Sequence, residues 1–265
     1  MLHNVLSIAG SDPSGGAGIQ ADLKTFSARG VYGMAAITAL TAQNTQGVSA
    51  IHLPPAAFVR QQIDMIFADV RVDAVKIGMI ASSEIAQAVA AALAPHRQIP
   101  LVLDPVMIAK GGATLLDPTA VATLIEALLP LAHVITPNLP EAAALLGQPV
   151  AANRDEMAAQ ACQLLKSGAR AVLLKGGHLE GENSPDLLAQ GANLTWFEGR
   201  RIATLNTHGT GCTLSSALAA ELAKGKPLQQ ATRAAKDWLT GAIAAAGQLS
   251  VGSGHGPVHH FHQLW

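Results

Sequence analysis

Val5-Leu6-Ser7-Ile8-Ala9-Gly10-Ser11-Asp12-Pro13-Ser14-Gly15-Gly16-Ala17-Gly18-Ile19-Gln20-Ala21-Asp22 reads, in order, as an apolar run, a glycine-rich turn and the opening of a helix. A short apolar run closed by turn residues predicts a buried first strand, and the helix after it is expected over 19–29 with Gly30 as its stop. The same unit recurs. Further buried strands are predicted at Ala74-Val75-Lys76-Ile77, Leu101-Val102-Leu103, Val134-Ile135-Thr136 and Ala171-Val172-Leu173-Leu174, with helices at 83–94, 118–129, 139–146 and 154–167. Unbroken apolar strands are those covered on both faces, so the alternation predicts an α/β fold with a mostly parallel sheet and crossover helices. The stretch 31–53 breaks the rhythm: rich in β-branched residues and Gly, it is expected to give one or two strands and a covering flap. A hairpin or antiparallel edge is expected over 194–204, then helices at 211–224 and 228–246 divided by Gly225-Lys226-Pro227. With no linker, repeat or low-complexity tract, 1–265 is expected to be one domain.

Composition narrows the function. Aromatics make up only 3% of the chain, too few for base-stacking platforms. Seventeen basic residues against 18 acidic ones leave no footprint for nucleic acid or an anionic membrane surface. A small-molecule ligand is the expectation. Cys162 and Cys212 form neither a CxxC nor a zinc spacing. The start Met1-Leu2-His3-Asn4 has no signal-peptide pattern, and every Ala-rich stretch is broken well short of a membrane span, so a cytoplasmic location is expected.

In open α/β sheets, ligands bind beyond the carboxyl ends of the strands. Polar residues gather there: the 10–18 loop, Gly78-Met79, Asp104-Pro105, Pro137-Asn138 and Lys175-Gly176-Gly177-His178. The 10–18 loop matches neither a dinucleotide fingerprint nor a Walker A loop, and Asp22 behind it could face solvent or a ligand. Asn206-Thr207-His208-Gly209-Thr210-Gly211-Cys212-Thr213-Leu214-Ser215-Ser216-Ala217 puts glycines at a helix entrance, where backbone N–H groups converge on an anion. The same field is expected to lower the Cys212 thiol pKa and offer a base or nucleophile beside a phosphate. Asp104, Asn138 and Glu141 are oxygen donors suited to magnesium, although Asn138-Leu139-Pro140-Glu141 is equally a helix cap. Lys175, at a strand end before two glycines, is expected to face phosphate. Lys236, on the late helix, could approach phosphate or a nucleotide, or equally face solvent. His255, His259, His260 and His262 read as a solvated or packing tail.

These motifs, together with Thr38-Ala39-Leu40-Thr41-Ala42-Gln43-Asn44-Thr45, Val75-Lys76-Ile77-Gly78-Met79 and Leu103-Asp104-Pro105-Val106-Met107, closely resemble those of bacterial hydroxymethylpyrimidine/phosphomethylpyrimidine kinases, over nearly the whole chain. The resemblance implies a ribokinase-like three-layer αβα sandwich with a small β flap and a homodimer. It also implies a Mg-ATP-dependent kinase of thiamine biosynthesis that phosphorylates 4-amino-5-hydroxymethyl-2-methylpyrimidine and then its monophosphate; a monovalent cation is left open. By position, Gln43 would read the aminopyrimidine, with Gly10, Asp22, Met79 and Val106 shaping the rest of that pocket. Gly209, Thr210, Gly211 and Cys212 would form the anion hole with Cys212 as base. Lys175 would face phosphate, and Asp104, Asn138 and Glu141 would serve Mg-ATP, with Asp104 and Glu141 holding the metal directly or through water. Gly111-Gly112 after Lys110 departs from the family's usual Ser-Gly. The competing readings are a pyridoxal or pyridoxine kinase of the same superfamily and a non-catalytic pyrimidine-binding domain.

Overall fold

The computed structural model describes residues 1–107 and 118–265. The Lys110-Gly111-Gly112 departure lies outside them. The described elements are β1 (Asn4–Ala9), α1 (Gly18–Ala28), β2 (Tyr32–Ile37), β3 (Leu40–Asn44), β4 (Gly47–His52), α2 (Ala56–Asp69), β5 (Ala74–Ile77), α3 (Ser83–Leu93) and β6 (Leu101–Leu103). After them come α4 (Pro118–Thr123), β7 (Val134–Ile135), α5 (Leu139–Leu146), α6 (Arg154–Lys166), β8 (Ala171–Lys175), β9 (Asp186–Gln190), β10 (Asn193–Phe197), α7 (Thr210–Ala223) and α8 (Leu228–Ala244). The strands form an 8-stranded sheet in the order β10-β9-β8-β7-β6-β5-β1-β2. From β2 to β8 every neighbouring pair is parallel, while β9 and β10 close one edge antiparallel.

Side-chain alternation along each strand divides the core into two. On β6, Leu101 and Leu103 join Val59 and Ile63 of α2, Ile85 and Val89 of α3 and Met157 of α6. Val102 faces the other way, toward Phe26 of α1, Leu214 and Leu218 of α7 and Trp238 of α8. The result is the expected helix–sheet–helix sandwich, its strands apolar on both faces as the unbroken runs predicted. The expected flap is β3–β4, a separate two-stranded antiparallel sheet.

Two elements, α2 and β9, have no clear signal in the sequence. On α2 only Val59 and Ile63 are fully covered, while Phe58 and Met65 are exposed, so its apolar stripe is blurred. β9 is five residues long and follows a polar loop; it is the partner that makes β10 the predicted antiparallel edge. The helix expected over 118–129 leaves α geometry after Thr123 and continues as a π turn over Leu124–Leu128. Among the described residues no helix is long and apolar enough to cross a membrane.

α1 and α7 pack against each other, and both begin at the carboxyl-end side of the sheet. At the far end of that contact the buried Glu221 carboxylate holds Arg29 at 2.6 Å and Lys224 at 3.0 Å, joining the two helices. Their amino termini are thereby brought to one place.

Candidate active site

Beyond the carboxyl ends of the strands lies a cavity of about 780 Å³. Gly10, Gln43, Met79, Val106, Asp104, Asn138, Glu141, Lys175, Gly209, Thr210, Gly211 and Cys212 all line it, so residues scattered over the sequence meet at one site. Gln43 arrives from the flap, at a register shift between Ala42 and Gln43 in the β3–β4 ladder. A bulge of that kind re-aims a side chain.

The end of the cavity expected to take an anion is made of backbone. Gly209 caps α7 at φ 75° with no side-chain hydrogen bond to the first-turn amides, whereas at the start of α1 the Gly18 amide faces the Cys212 thiol and Ile19 N donates to Gly10 O at 2.9 Å. Uncapped N–H groups at a helix entrance form an anion site. The loop after β1 is braced against this one. Asp12 accepts from Ser14 N at 2.9 Å, Ser14 Oγ at 2.6 Å, Gly16 N at 3.1 Å and Ala17 N at 2.8 Å, and lies 2.8 Å from His208 Nε2. Burial works against its charge, but His208, Ser14 and Ala17 bring its pKa down to about 2. Neither Asp12 nor His208 was singled out in the sequence; an Asp preceding Pro-Ser-Gly-Gly carries the signal of a turn-forming acceptor.

Cys212 corrects an expectation. It stands in the first turn of α7, where the dipole favours a thiolate, yet burial pushes its thiol up to about 11. Lys76 and the Gly18 amide pull the other way, while Asp22 and Asp104 add to the rise. Part of its surface opens to the cavity, but the enclosure and two carboxylates outweigh Lys76 and the Gly18 amide. In the unliganded site the thiol is protonated.

Beside the start of α7, where a Cβ on Gly211 would come within 3.2 Å of its ammonium, Lys175 Nζ sits 3.1 Å from Asp104 Oδ1 and 3.9 Å from Glu141 Oε2. Asp104 also accepts from Thr136 Oγ1 at 3.1 Å and Ser215 Oγ at 3.2 Å. Burial opposes its ionisation, but Lys175 and Lys76 hold it below the usual carboxylate range. Burial pushes Glu141 up to about 7, with Lys175 lowering and Asp104 raising it. Asn138 and Glu141 do form the cap that the spacing allowed: Asn138 Oδ1 accepts from Glu141 N at 2.8 Å and Glu141 Oε2 from Asn138 N at 2.7 Å. Capping and cation binding are compatible, because the cap uses only Glu141 Oε2; the Met107 amide also donates to this carboxylate. Two carboxylates, one of them raised by burial and then by its neighbour's charge, form an oxygen-only set that fits a hydrated magnesium ion. Among the described residues no group of three or more His, Cys, Asp or Glu forms a protein-only metal cage.

Asp22 is the one predicted pocket residue that does not line the cavity. It faces neither solvent nor ligand. Fully buried, it pairs with Lys76 Nζ at 2.8 and 2.9 Å and accepts from Ser7 Oγ at 2.6 Å and Ser216 Oγ at 2.7 Å. Lys76 lines the cavity in its place, held charged by Asp22 against the opposing effect of burial. A lysine inside an apolar strand was the available signal for a buried pair.

Lys236 is buried rather than solvent-facing, with Nζ 2.7 Å from Asp186 Oδ2 and 2.9 Å from Ser184 O, and both Lys236 and Asp186 line the cavity. Asp186 in turn accepts from Gly176 N at 3.0 Å, fixing the turn after Lys175. In the tail, His259 and His260 pack inside: His260 Nε2 lies 3.1 Å from Thr213 Oγ1, and burial lowers its pKa to about 3.

Residues 12–259 match the family model described as phosphomethylpyrimidine kinase. The chain is 56% identical to the hydroxymethylpyrimidine/phosphomethylpyrimidine kinase of Rhizobium meliloti, over 100% of this chain and 99% of that one. The crystal structure of phosphomethylpyrimidine kinase from Clostridium difficile superposes with a TM-score of 0.81 at 45% identity, covering 91% of this chain and 99% of the other. An ADP complex of Bacillus subtilis pyridoxal kinase superposes with a TM-score of 0.90 at 38% identity, covering 99% of each.

Proposed function

This chain belongs to the phosphomethylpyrimidine kinase family, and from that premise we propose how its residues perform the reaction. It is a hydroxymethylpyrimidine/phosphomethylpyrimidine kinase of thiamine biosynthesis, and ATP is its phosphoryl donor. The acceptor is the hydroxymethyl group of 4-amino-5-hydroxymethyl-2-methylpyrimidine, phosphorylated to the monophosphate and then to the diphosphate. The observation that carries the residue assignment is one cavity holding an amide on a flap at one side and an uncapped helix entrance with a paired lysine at the other.

Gln43 presents a donor and an acceptor to the amino group and ring nitrogen of the pyrimidine. Gly10, Met79 and Val106 shape the apolar part of that pocket; Asp22 contributes from beneath by fixing Lys76. Amides at Gly209, Thr210, Gly211 and Cys212 stabilise charge on the transferring phosphoryl oxygens, and Lys175 adds positive charge at the same place. Asp104 and Glu141, directly or through water and with Asn138 beside them, would hold magnesium, which when bound neutralises phosphate charge. Superposition on a pyridoxal kinase does not select between the rings; Gln43 and the higher identity to the pyrimidine kinases favour the pyrimidine.

Purified protein given the pyrimidine alcohol and Mg-ATP is expected to yield mono- and diphosphate by mass spectrometry. Unreacted alcohol overturns this reading. Because phosphoryl transfer passes through a loose transition state and Cys212 rests protonated, positioning carries more of the rate than proton removal. Cys212→Ala is therefore expected to lower kcat by about tenfold, less than the ~10²–10⁴ of a working general base. A drop of about 10³-fold at unchanged KM would restore Cys212 as the base.

Residues 1–265 are read as one kinase domain that works as a homodimer in the cytoplasm, where both free thiols stay reduced. The flap supports the dimer: an isolated two-stranded sheet is marginal by itself, and Leu40 and Ile51 on it are exposed. Light scattering on a Leu40→Glu/Ile51→Glu variant is expected to show monomer where the parent shows dimer. A monomeric parent defeats the assignment.

A further inference from the structure

One part of the molecule has no role in the reaction described so far: the segment between α8 and the carboxyl terminus, which runs from the flap turn to the loop that enters α7. Residues 252–255 are exposed and residues 256–260 are buried. The exposed half grips the turn of the flap. Gly254 N donates to Thr45 Oγ1 at 3.2 Å, His255 N donates to Thr45 O at 3.0 Å, and Gln46 Nε2 donates to Ser253 Oγ at 2.7 Å. The buried half grips the segment that enters the phosphate loop. His208 N donates to Gly256 O at 3.0 Å, and His208 forms a parallel bridge with Pro257. Beyond it the chain is pinned to α8 by His259 N on Ala242 O at 2.9 Å and to α7 by the His260–Thr213 contact.

Alternate glycines permit both grips. A Cβ on Gly254 would lie 2.0 Å from Thr45 O, and one on Gly256 would lie 2.3 Å from Asn206 Oδ1. Thr45 stands two residues after Gln43, and Asn206 three residues before Gly209. The strap thus joins the flap that bears the ring-reading amide to the loop that bears the phosphate site, by a few residues of fixed length.

We infer that residues 252–257 act as a spacer that sets the distance between these two half-sites, with Gly254 and Gly256 as positioning residues for phosphoryl transfer. The inference rests on the assignment of Gln43 to the pyrimidine and of residues 209–212 to the phosphate made above. The acceptor oxygen hangs from a ring held at one half-site and must meet a phosphorus held at the other. A misplacement of about 1 Å costs on the order of 10²-fold in rate. A spacer therefore makes a prediction that a local prop does not: damage at either end changes both substrate affinity and turnover.

The test is steady-state kinetics on the full-length protein with the pyrimidine alcohol and ATP, alongside thermal melting. Gly254→Ala, at the flap end, is expected to raise the pyrimidine KM and also to lower kcat by about tenfold, with ATP KM within about twofold of the parent. Gly256→Ala, at the phosphate end, is expected to produce the same paired change. There the obstacle is a side chain, so Gly256→Ala combined with Asn206→Gly is expected to recover both constants. A Gly254→Ala enzyme with altered KM alone, or a Gly256→Ala enzyme with altered kcat alone, overturns the spacer. So does a folded Gly256→Ala protein that Asn206→Gly fails to rescue. If Gly254→Ala does not fold, the Gly256→Ala pair decides. Parent turnover is scored first: its absence defeats the kinase reading instead, and the spacer is then read from calorimetric binding of the pyrimidine alcohol to the same variants.

Discussion

Lys175→Met is expected to lower kcat by about 10²–10³-fold, the size of effect seen when one aligned stabiliser of transition-state charge is removed. Its ammonium lies 3.1 Å from Asp104 and 3.9 Å from Glu141, at the end of β8. Burial acts against that charge, but the two carboxylates hold the lysine pKa above its ordinary value, so it is a cation throughout the working range. Methionine keeps the length and removes the charge, leaving Asp104, among the described residues, with the Thr136 and Ser215 hydroxyls and the charge of Lys76. Removing one partner of a buried pair costs about 3–5 kcal/mol when the other stays charged. Here the cavity admits water, so a smaller fall in melting temperature should accompany the loss of rate. Arginine is a poor rescue, because its planar fork demands room that a compact ammonium does not. A Lys175→Met enzyme within threefold of the parent kcat would remove Lys175 from the phosphate site.

The same substitution has a pH signature. Glu141 sits at about 7 because burial raises it and Asp104 adds to the rise, while Lys175 opposes both. If the ionised form serves the reaction, parent kcat/KM falls as pH drops below about 7. Without the lysine both carboxylates protonate more readily, so the acid limb moves to higher pH. Measuring kcat/KM from pH 5 to 9 separates this from simple misfolding, which lowers the curve without moving it.

What could be read from the sequence was whatever depends on neighbours along the chain. Apolar runs such as Leu101-Val102-Leu103 locate their strands because both sheet faces are covered, and the strand-end residues Asp104, Asn138 and Lys175 converge because parallel strands end on one side. What escaped depends on partners far away. The environment of Cys212 is set by Lys76, Asp22 and Asp104, each over a hundred residues distant in sequence, and the local helix-end argument therefore pointed to the wrong pKa direction. Asp22 had its ion-pair partner in β5, which no spacing near position 22 could reveal. The Asp12–His208 contact spans 196 residues and is visible only once α1 and α7 are side by side. α2 was hidden for another reason: with Phe58 and Met65 exposed, its apolar residues do not fall on one face.

Gly209→Ala is expected to be at least as damaging as the loss of Lys175, through geometry rather than charge. Gly209 adopts φ 75°, a left-handed conformation that costs an L-residue roughly 1–2 kcal/mol. That cost alone is survivable, and Gly225 provides the internal control. It has φ 78° at the other end of α7, and a Cβ there meets nothing within 4 Å. Gly225→Ala should therefore lower stability by about 1 kcal/mol and leave kcat unchanged. At Gly209 a Cβ would stand 1.8 Å from the Gly16 carbonyl oxygen and 2.8 Å from its carbon. Both are backbone, fixed by Asp12 from one side and by the helix start from the other, so no rotamer change relieves the overlap. The loop after β1 and the loop before α7 must separate. Separation turns the amides of Thr210 and Gly211 away from the phosphate and strains the Asp12–His208 contact. Turnover should fall by about 10²–10³-fold, as when a single anion-hole donor is lost, with the melting temperature reduced more than in Gly225→Ala. If the two alanine variants instead match in kcat, the close approach of Gly16 and Gly209 is not what shapes the phosphate site.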